Sequence, residues 1–269
     1  MGSAKRRATR ANERVKSAVA QAMIAATGAV MLNALPSVTA ISTVREHLTP
    51  RLSGSADAGT VALTFDDGPD PASTPAILDA LATARVHATF FLLGSMLERA
   101  PALGARIVAE GHEVALHGWS HRCLLARGPV STYHDIARAY GLIVETTGSR
   151  PLHYRPPYGI LSAAALTTAR RLEMTPVLWT ACGKDWTRTA TPDTVARRVI
   201  RELRPGGTIL LHDSDCTSAR GSWRATLAAL PRILTECAER QLLVGSLVER
   251  TWNQGYEADS RGRAQSWRS

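Results

Sequence analysis

Asp66 and Asp67 close an apolar run that reads Val-Ala-Leu-Thr-Phe-Asp-Asp-Gly-Pro over residues 61–69. A strand alternates its side chains, so the two carboxylates cannot share one direction while the strand stays regular. Where it frays into the Gly-Pro turn, both can reach one cavity, one binding a metal and the other free as a base. A capped strand end with two solvated aspartates is the plainer alternative. His117-Gly118-Trp119-Ser120-His121 sets two imidazoles four residues apart, and on one helical turn they would share a face and grip one ion. Adding Asp67 gives two nitrogens and one oxygen, a set that leaves coordination positions open, as catalytic metal sites do. Arg155-Pro156-Pro157-Tyr158-Gly159 is a rigid elbow in which the prolines fix the path, Gly159 permits the turn and Arg155 can fork onto a carboxylate. Asp185-Trp186 pairs an acid with an indole able to wall a sugar site, and Leu211-His212-Asp213 leaves an imidazole where an acid catalyst can sit. Each signal is modest alone, and each has a structural alternative in a surface helix, loop or cap.

Short apolar strands alternating with helical segments must position these groups. Helical periodicity covers 75–84 after Ser73 or Thr74, 98–110 up to Gly111, 132–147, 162–172, 193–203 after Thr191-Pro192, and 221–240. Strand character covers 61–65, 88–93, 113–116 up to His117, 176–180, 208–211 up to His212, and 242–247, with a short extended piece before Arg155. That rhythm argues for a parallel sheet with helical crossovers. The polar groups follow the strands, at the ends where parallel α/β folds assemble their sites. About seven strands suits a closed or nearly closed barrel.

With 269 residues and 45% hydrophobic content, the chain can bury one large core. The net charge is +9, but residues 1–16 hold Lys5, Arg6, Arg7, Arg10, Arg14 and Lys16 against Glu13 alone. The remainder is mildly basic, which suits an acidic surface such as a cell wall or membrane. It lacks the Lys/Arg stripe interleaved with aromatics that a nucleic-acid partner requires. Cys123, Cys182, Cys216 and Cys237 contain no C-x-x-C pair, which argues against structural zinc and leaves one bridge or free thiols open. Residues 18–35 are apolar, interrupted by Gln21, Thr27, Gly28 and Asn33, and Val38-Thr39-Ala40 can satisfy a small-residue cleavage rule. They read as a secretory signal with a long basic head, or as an uncleaved anchor. Arg6-Arg7 lacks the context of a twin-arginine signal. Residues 41–59 read as a linker, and the tail beyond Trp252 as loose.

Taken in order, Thr64-Phe65-Asp66-Asp67-Gly68-Pro69, His117 to His121, Arg155 to Gly159, Asp185-Trp186 and Leu211-His212-Asp213 resemble the motifs of NodB-homology polysaccharide deacetylases, a carbohydrate esterase family. The resemblance spans about residues 61–247 and implies a distorted (β/α) barrel domain over 60–250, between the leader 1–59 and the tail 251–269. It implies that Asp67, His117 and His121 bind a divalent metal, usually zinc, with cobalt or another divalent ion as the alternative. Asp66 would be the general base, Arg155 its orienting partner, His212 the general acid and Asp185 its charged partner. Tyr158 would offer its backbone amide to the oxyanion, with Pro157 and Trp186 beside the substrate. Such chemistry is coherent: the metal lowers the pKa of water and polarises a carbonyl, while base and acid serve opposite ends of the proton transfer.

Two departures stand out. Gly118 occupies a position where the family usually has Ser or Thr, so a hydroxyl that would brace the loop between the ligands is absent. Cys182 replaces an Asp often found three residues before Asp185, which alters the groove wall or brings a thiol near the site. Neither removes a ligand or an acid–base group. The expected activity is N-deacetylation of an N-acetylglucosamine polymer, with a bacterial cell wall first among substrates and chitin-type oligosaccharides or O-acetylated xylan as alternatives. Secretion or cell-envelope association follows from the leader. Without an export signal, a cytoplasmic enzyme for a small amino sugar is the alternative. A silent carbohydrate-binding barrel or an anchored scaffold leaves the acid–base groups or the motif order unexplained.

Overall fold

Strand β1 (Thr60–Asp66) is buried at all seven positions, as expected of a parallel strand covered on both faces. The computed structural model describes residues 2–54 and 59–249. Around β1 lie β2 (Thr89–Leu93), β3 (Glu113–Gly118), β4 (His153–Tyr154), β5 (Thr175–Pro176), β6 (Ala181–Cys182), β7 (Thr208–His212) and β8 (Leu243–Gly245). Seven parallel strands curl into a half-barrel in the order β5-β4-β3-β2-β1-β7-β6, and β8 pairs with the first residues of β1. The register sets Asp66 opposite His212, and Leu116 opposite Tyr154. The C-terminal ends of β1, β3, β4 and β7 therefore form one rim.

Helices α3 (Thr74–Ala84), α4 (Gly94–Arg99), α5 (Pro101–Ala109), α6 (Pro129–Thr147), α7 (Ala163–Arg171), α8 (Pro192–Glu202) and α9 (Trp223–Glu239) cover the sheet. The single helix expected over 98–110 is two, because Ala100 adopts φ −139° ahead of Pro101 and breaks the run. Of the strand expected over 176–180 only Pro176 is in a strand, at the end of β5, and residues 177–180 form the connection to β6. Between them, side chains rather than a neighbouring strand take the main-chain carbonyls: Arg155 donates to Val177 O and Leu178 O, and Arg45 to Trp179 O.

Residues 41–59, expected as a linker, carry α2 (Ser42–Leu48) and a 3₁₀ turn at Pro50–Ser53. Arg45 is buried there, donating to Ser53 Oγ and Thr39 O as well as to Trp179 O. Leu178 N donates to Leu52 O at 2.6 Å. The segment thus straps the open edge of the half-barrel. Before it, α1 (Gly2–Ala34) contains the apolar stretch, and residues 16–40 are long and apolar enough to cross a membrane, with none of the apolar window buried. The tail expected to be loose lies outside the described residues.

Candidate active site

β1 ends at Asp66, and Asp67 takes φ +80°, so the chain leaves the strand sharply. The two carboxylates consequently approach the same imidazole from different angles, Asp66 at the cavity wall and Asp67 fully buried beside it. β3 delivers His117, and Gly118 at φ +101° turns the chain so that His121 approaches from a loop. The shared face of one helical turn expected for this pair is therefore not what unites them; a strand end and a bend do. His117 Nε2 lies 3.5 Å and His121 Nε2 3.6 Å from Asp67 Oδ1. His117 Nδ1 meets Arg155 O at 2.7 Å, which turns Nε2 and its lone pair toward the carboxylate. Burial pushes the His117 pKa down to about 3, so the ring is neutral.

Arg155, fully buried, donates through Nη1 to Asp66 Oδ1 at 2.6 Å and to Thr64 Oγ1 at 2.8 Å. Its guanidinium also lies 4.0 Å from the centre of the Phe91 ring. Asp66 Oδ2 stays free of this pair and faces His117 Nε2 at 3.8 Å. Burial raises the Asp66 pKa, against the pull of Arg155. On the neighbouring strand, His212 Nδ1 meets Asp185 Oδ1 at 2.9 Å, while His212 N and Thr226 Oγ1 donate to Asp185 Oδ2. Burial opposes charge on His212, but Asp185 outweighs it and pushes the pKa up to about 10.

The polysaccharide deacetylase family profile matches residues 53–177. A chitooligosaccharide deacetylase from Sinorhizobium fredii is 38% identical over 198 residues, covering 71% of this chain and 92% of that protein. The chain belongs to the polysaccharide deacetylase family. Two solved structures agree: the peptidoglycan deacetylase PdaC from Bacillus subtilis, with TM-score 0.66 and 30% identity over 77% of this chain and 97% of that one, and a family 4 carbohydrate esterase from Streptomyces lividans in complex with acetate, with TM-score 0.63 and 33% identity over 71% and 93%.

In this polysaccharide deacetylase, a cavity of about 250 Å³ is lined by Asp66, His117, His121, Tyr158, Trp186 and His212, together with Trp179 and Thr217. Tyr158 sits at φ +60° and packs its ring 4.3 Å from that of His121. Trp186 meets His212 edge-on at 5.3 Å. Pro157 is buried behind the elbow and does not line the cavity. Cys182 is also off the wall: it is buried in β6, and burial raises its thiol to about 12. All four cysteines are free.

Sequence reasoning overlooked three groups. Asp135 on α6 accepts from Trp119 N and Ser120 Oγ and pairs with Arg127 at 2.8 Å, so it braces the ligand loop that Gly118 leaves without a hydroxyl. A Cβ at Gly118 would stand 3.0 Å from Asp135 Oδ2, and the positive φ itself favours glycine. Thr217 Oγ1 donates to Asp67 Oδ2 at 2.5 Å. Asp213, noted only as part of a motif, accepts from Gly68 N and Thr74 Oγ1 and fixes the turn after Asp67. Burial raises it to about 7.

Asp67, His117 and His121 fit a divalent cation. Their ligand atoms lie within 4.8 Å of one another. Asp67 Oδ1 is buried without a hydrogen-bond partner, an arrangement that costs free energy unless a cation or proton compensates it. Two imidazole nitrogens and a carboxylate oxygen are the donors such an ion takes.

Proposed function

We propose that this cleft removes acetyl groups from N-acetylglucosamine-containing glycans, with Asp67, His117 and His121 holding zinc. The observation that carries the metal assignment is the partnerless Asp67 Oδ1 facing two imidazoles. When bound, the ion supplies Lewis acidity toward a carbonyl and acidifies water. Asp66 takes a proton at Oδ2, because Arg155 occupies Oδ1 and favours the carboxylate. His212 gives a proton to the departing amine, and Asp185 holds its ring and its charge. Tyr158 borders the acetyl group, its backbone amide serving the developing oxyanion, and Trp186 offers an apolar face to the sugar. The tests are acetate release from N-acetylglucosamine oligomers and from peptidoglycan, with chelator and then zinc or cobalt. Activity should stop and return, and chelator-insensitive release would defeat the metal assignment. Asp66→Asn should keep its zinc and lose about 10²–10⁴ in kcat; an active variant would remove Asp66 from the role of base.

For localisation we infer an uncleaved membrane anchor. The apolar window has mean hydropathy 1.6, the basic head precedes it, and lysine and arginine remain on the cytoplasmic side, so the barrel would face the envelope. Thr39 O and Ala40 O both accept from buried Arg45, contacts that cleavage after Ala40 would sever. Mass spectrometry of the membrane fraction should find the intact leader; a chain starting at Ile41 overturns this reading. The deacetylase domain itself spans residues 60–250, with 42–54 as its strap.

A further inference from the structure

The cleft continues past Trp186. Ser218 lines both the cavity above and a neighbouring hollow of about 640 Å³ that begins at Thr187. A backbone bond from Ala219 N to Trp186 O at 3.0 Å joins the two loops that form the shared wall. The hollow is lined by Arg188, Arg220 and Arg224 and by no acidic side chain. All three arginines are exposed, and none is paired with a carboxylate among the described residues, whereas nearby Arg197 and Arg232 share Asp193. Arg224 lies against the Trp223 ring at 4.5 Å, which limits its freedom. Three unpaired guanidiniums around one hollow repel each other unless an anion joins them, and the N-terminal ends of α8 and α9 that open here add positive partial charge. The volume exceeds what a lone inorganic ion fills and lies in the range of pockets for drug-sized ligands.

We propose that this hollow is an anionic subsite of the deacetylase cleft, binding a carboxylate carried by the glycan next to the sugar being deacetylated, so that acidic N-acetylated glycans are preferred over neutral ones. It rests on the deacetylase reading of the cleft and narrows its substrate class. Guanidinium forks match carboxylates in planar, bidentate fashion. The carboxylate has two sources in a cell-wall polymer: a lactyl ether on the adjacent amino sugar, or the amino-acid stem attached to it.

Three substrates separate these cases: chitotetraose, peptidoglycan strands with stems, and strands whose stems an amidase has removed. In the triple variant Arg188→Gln, Arg220→Gln, Arg224→Gln, KM for an acidic strand should rise about tenfold with kcat little changed, as several partly exposed ion pairs predict. KM for chitotetraose should stay within twofold. The wild-type advantage on acidic strands should shrink with added salt. A rise confined to stem-bearing strands assigns the stem carboxylates, and a rise on stripped strands assigns the lactyl group. Equal effects on all three substrates, or none, overturn the subsite. If no substrate yields acetate, the deacetylase reading fails separately. Calorimetric titration of the same strands into resting enzyme still reads the arginines, and equal affinity of wild type and variant would then overturn the proposal.

Discussion

Asp135 does not line the cavity, yet it ties down the loop that carries His121. Its carboxylate receives Trp119 N and Ser120 Oγ and is itself paired with Arg127. The segment between His117 and His121 is thereby tied to α6. Removing that carboxylate leaves Trp119 N unpaired, Arg127 without its anion, and His121 on an unbraced loop. Asp135→Ala is therefore expected to weaken binding of a divalent metal by about 10–100-fold, the usual cost of losing an outer partner of a metal site. Excess zinc should restore most of the kcat. A competition titration with a chromophoric chelator measures the affinity, and unchanged affinity would relegate Asp135 to a purely structural role. Gly118 belongs to the same unit: its positive φ favours glycine, and a Cβ there would stand 3.0 Å from Asp135 Oδ2.

At the scale of elements, the open edge between β5 and β6 is held by two arginines from opposite directions. Arg155 takes the carbonyls of Val177 and Leu178 while gripping Asp66, and Arg45 takes Trp179 O from the strap. Trp179 lines the cavity, so the strap helps shape the site from behind. Arg45→Ala strips a buried network of its donor and leaves Thr39 O, Trp179 O and Ser53 Oγ to find water. The expected loss is about 3 kcal/mol, or roughly 6–12 °C in melting temperature for a chain of this size. Thermal unfolding measures it, and an unshifted melting curve would mean that the strap adds nothing to the barrel. The same edge marks where sequence pattern stops informing. β1, β3 and β7 announce themselves as apolar runs ending in a polar group, which is why Asp66, His117 and His212 were legible as neighbours on one rim. β4 was legible only as a short extended piece before Arg155, and β5 and β6 have two residues each, with the carbonyls between them taken by Arg155 and Arg45, so no periodicity reveals those two. Asp135 and Thr217 come from a helix and a loop far along the chain, and nothing in their local sequence marks them as partners of the ligands.

For the molecule as a whole, pH acts on folding through a histidine at the N-terminal end of the strands, the end away from the chemistry. His112 is buried, accepts Ala88 N at Nδ1, and meets Phe90 and His87 edge-on. Burial, helped by His87 and opposed by Glu110 and Glu249, lowers its pKa from 6.5 to about 4. The folded-state value lies below the unfolded one, so the unfolded chain takes up the proton first. The stabilisation is complete above pH 6.5 and is lost as the pH falls toward 4. One group titrating in this way steepens the acid limb by at most about 1.4 kcal/mol per pH unit. His112→Gln keeps an acceptor for Ala88 N and removes the titration. The variant should be somewhat less stable at neutral pH, through altered packing, yet lose less between pH 6.5 and 4.5. Urea unfolding of both proteins across that interval supplies the comparison. Because the carboxylates of the fold are common to the two chains, the difference between their slopes isolates His112, and parallel slopes would exclude it as the source of acid sensitivity.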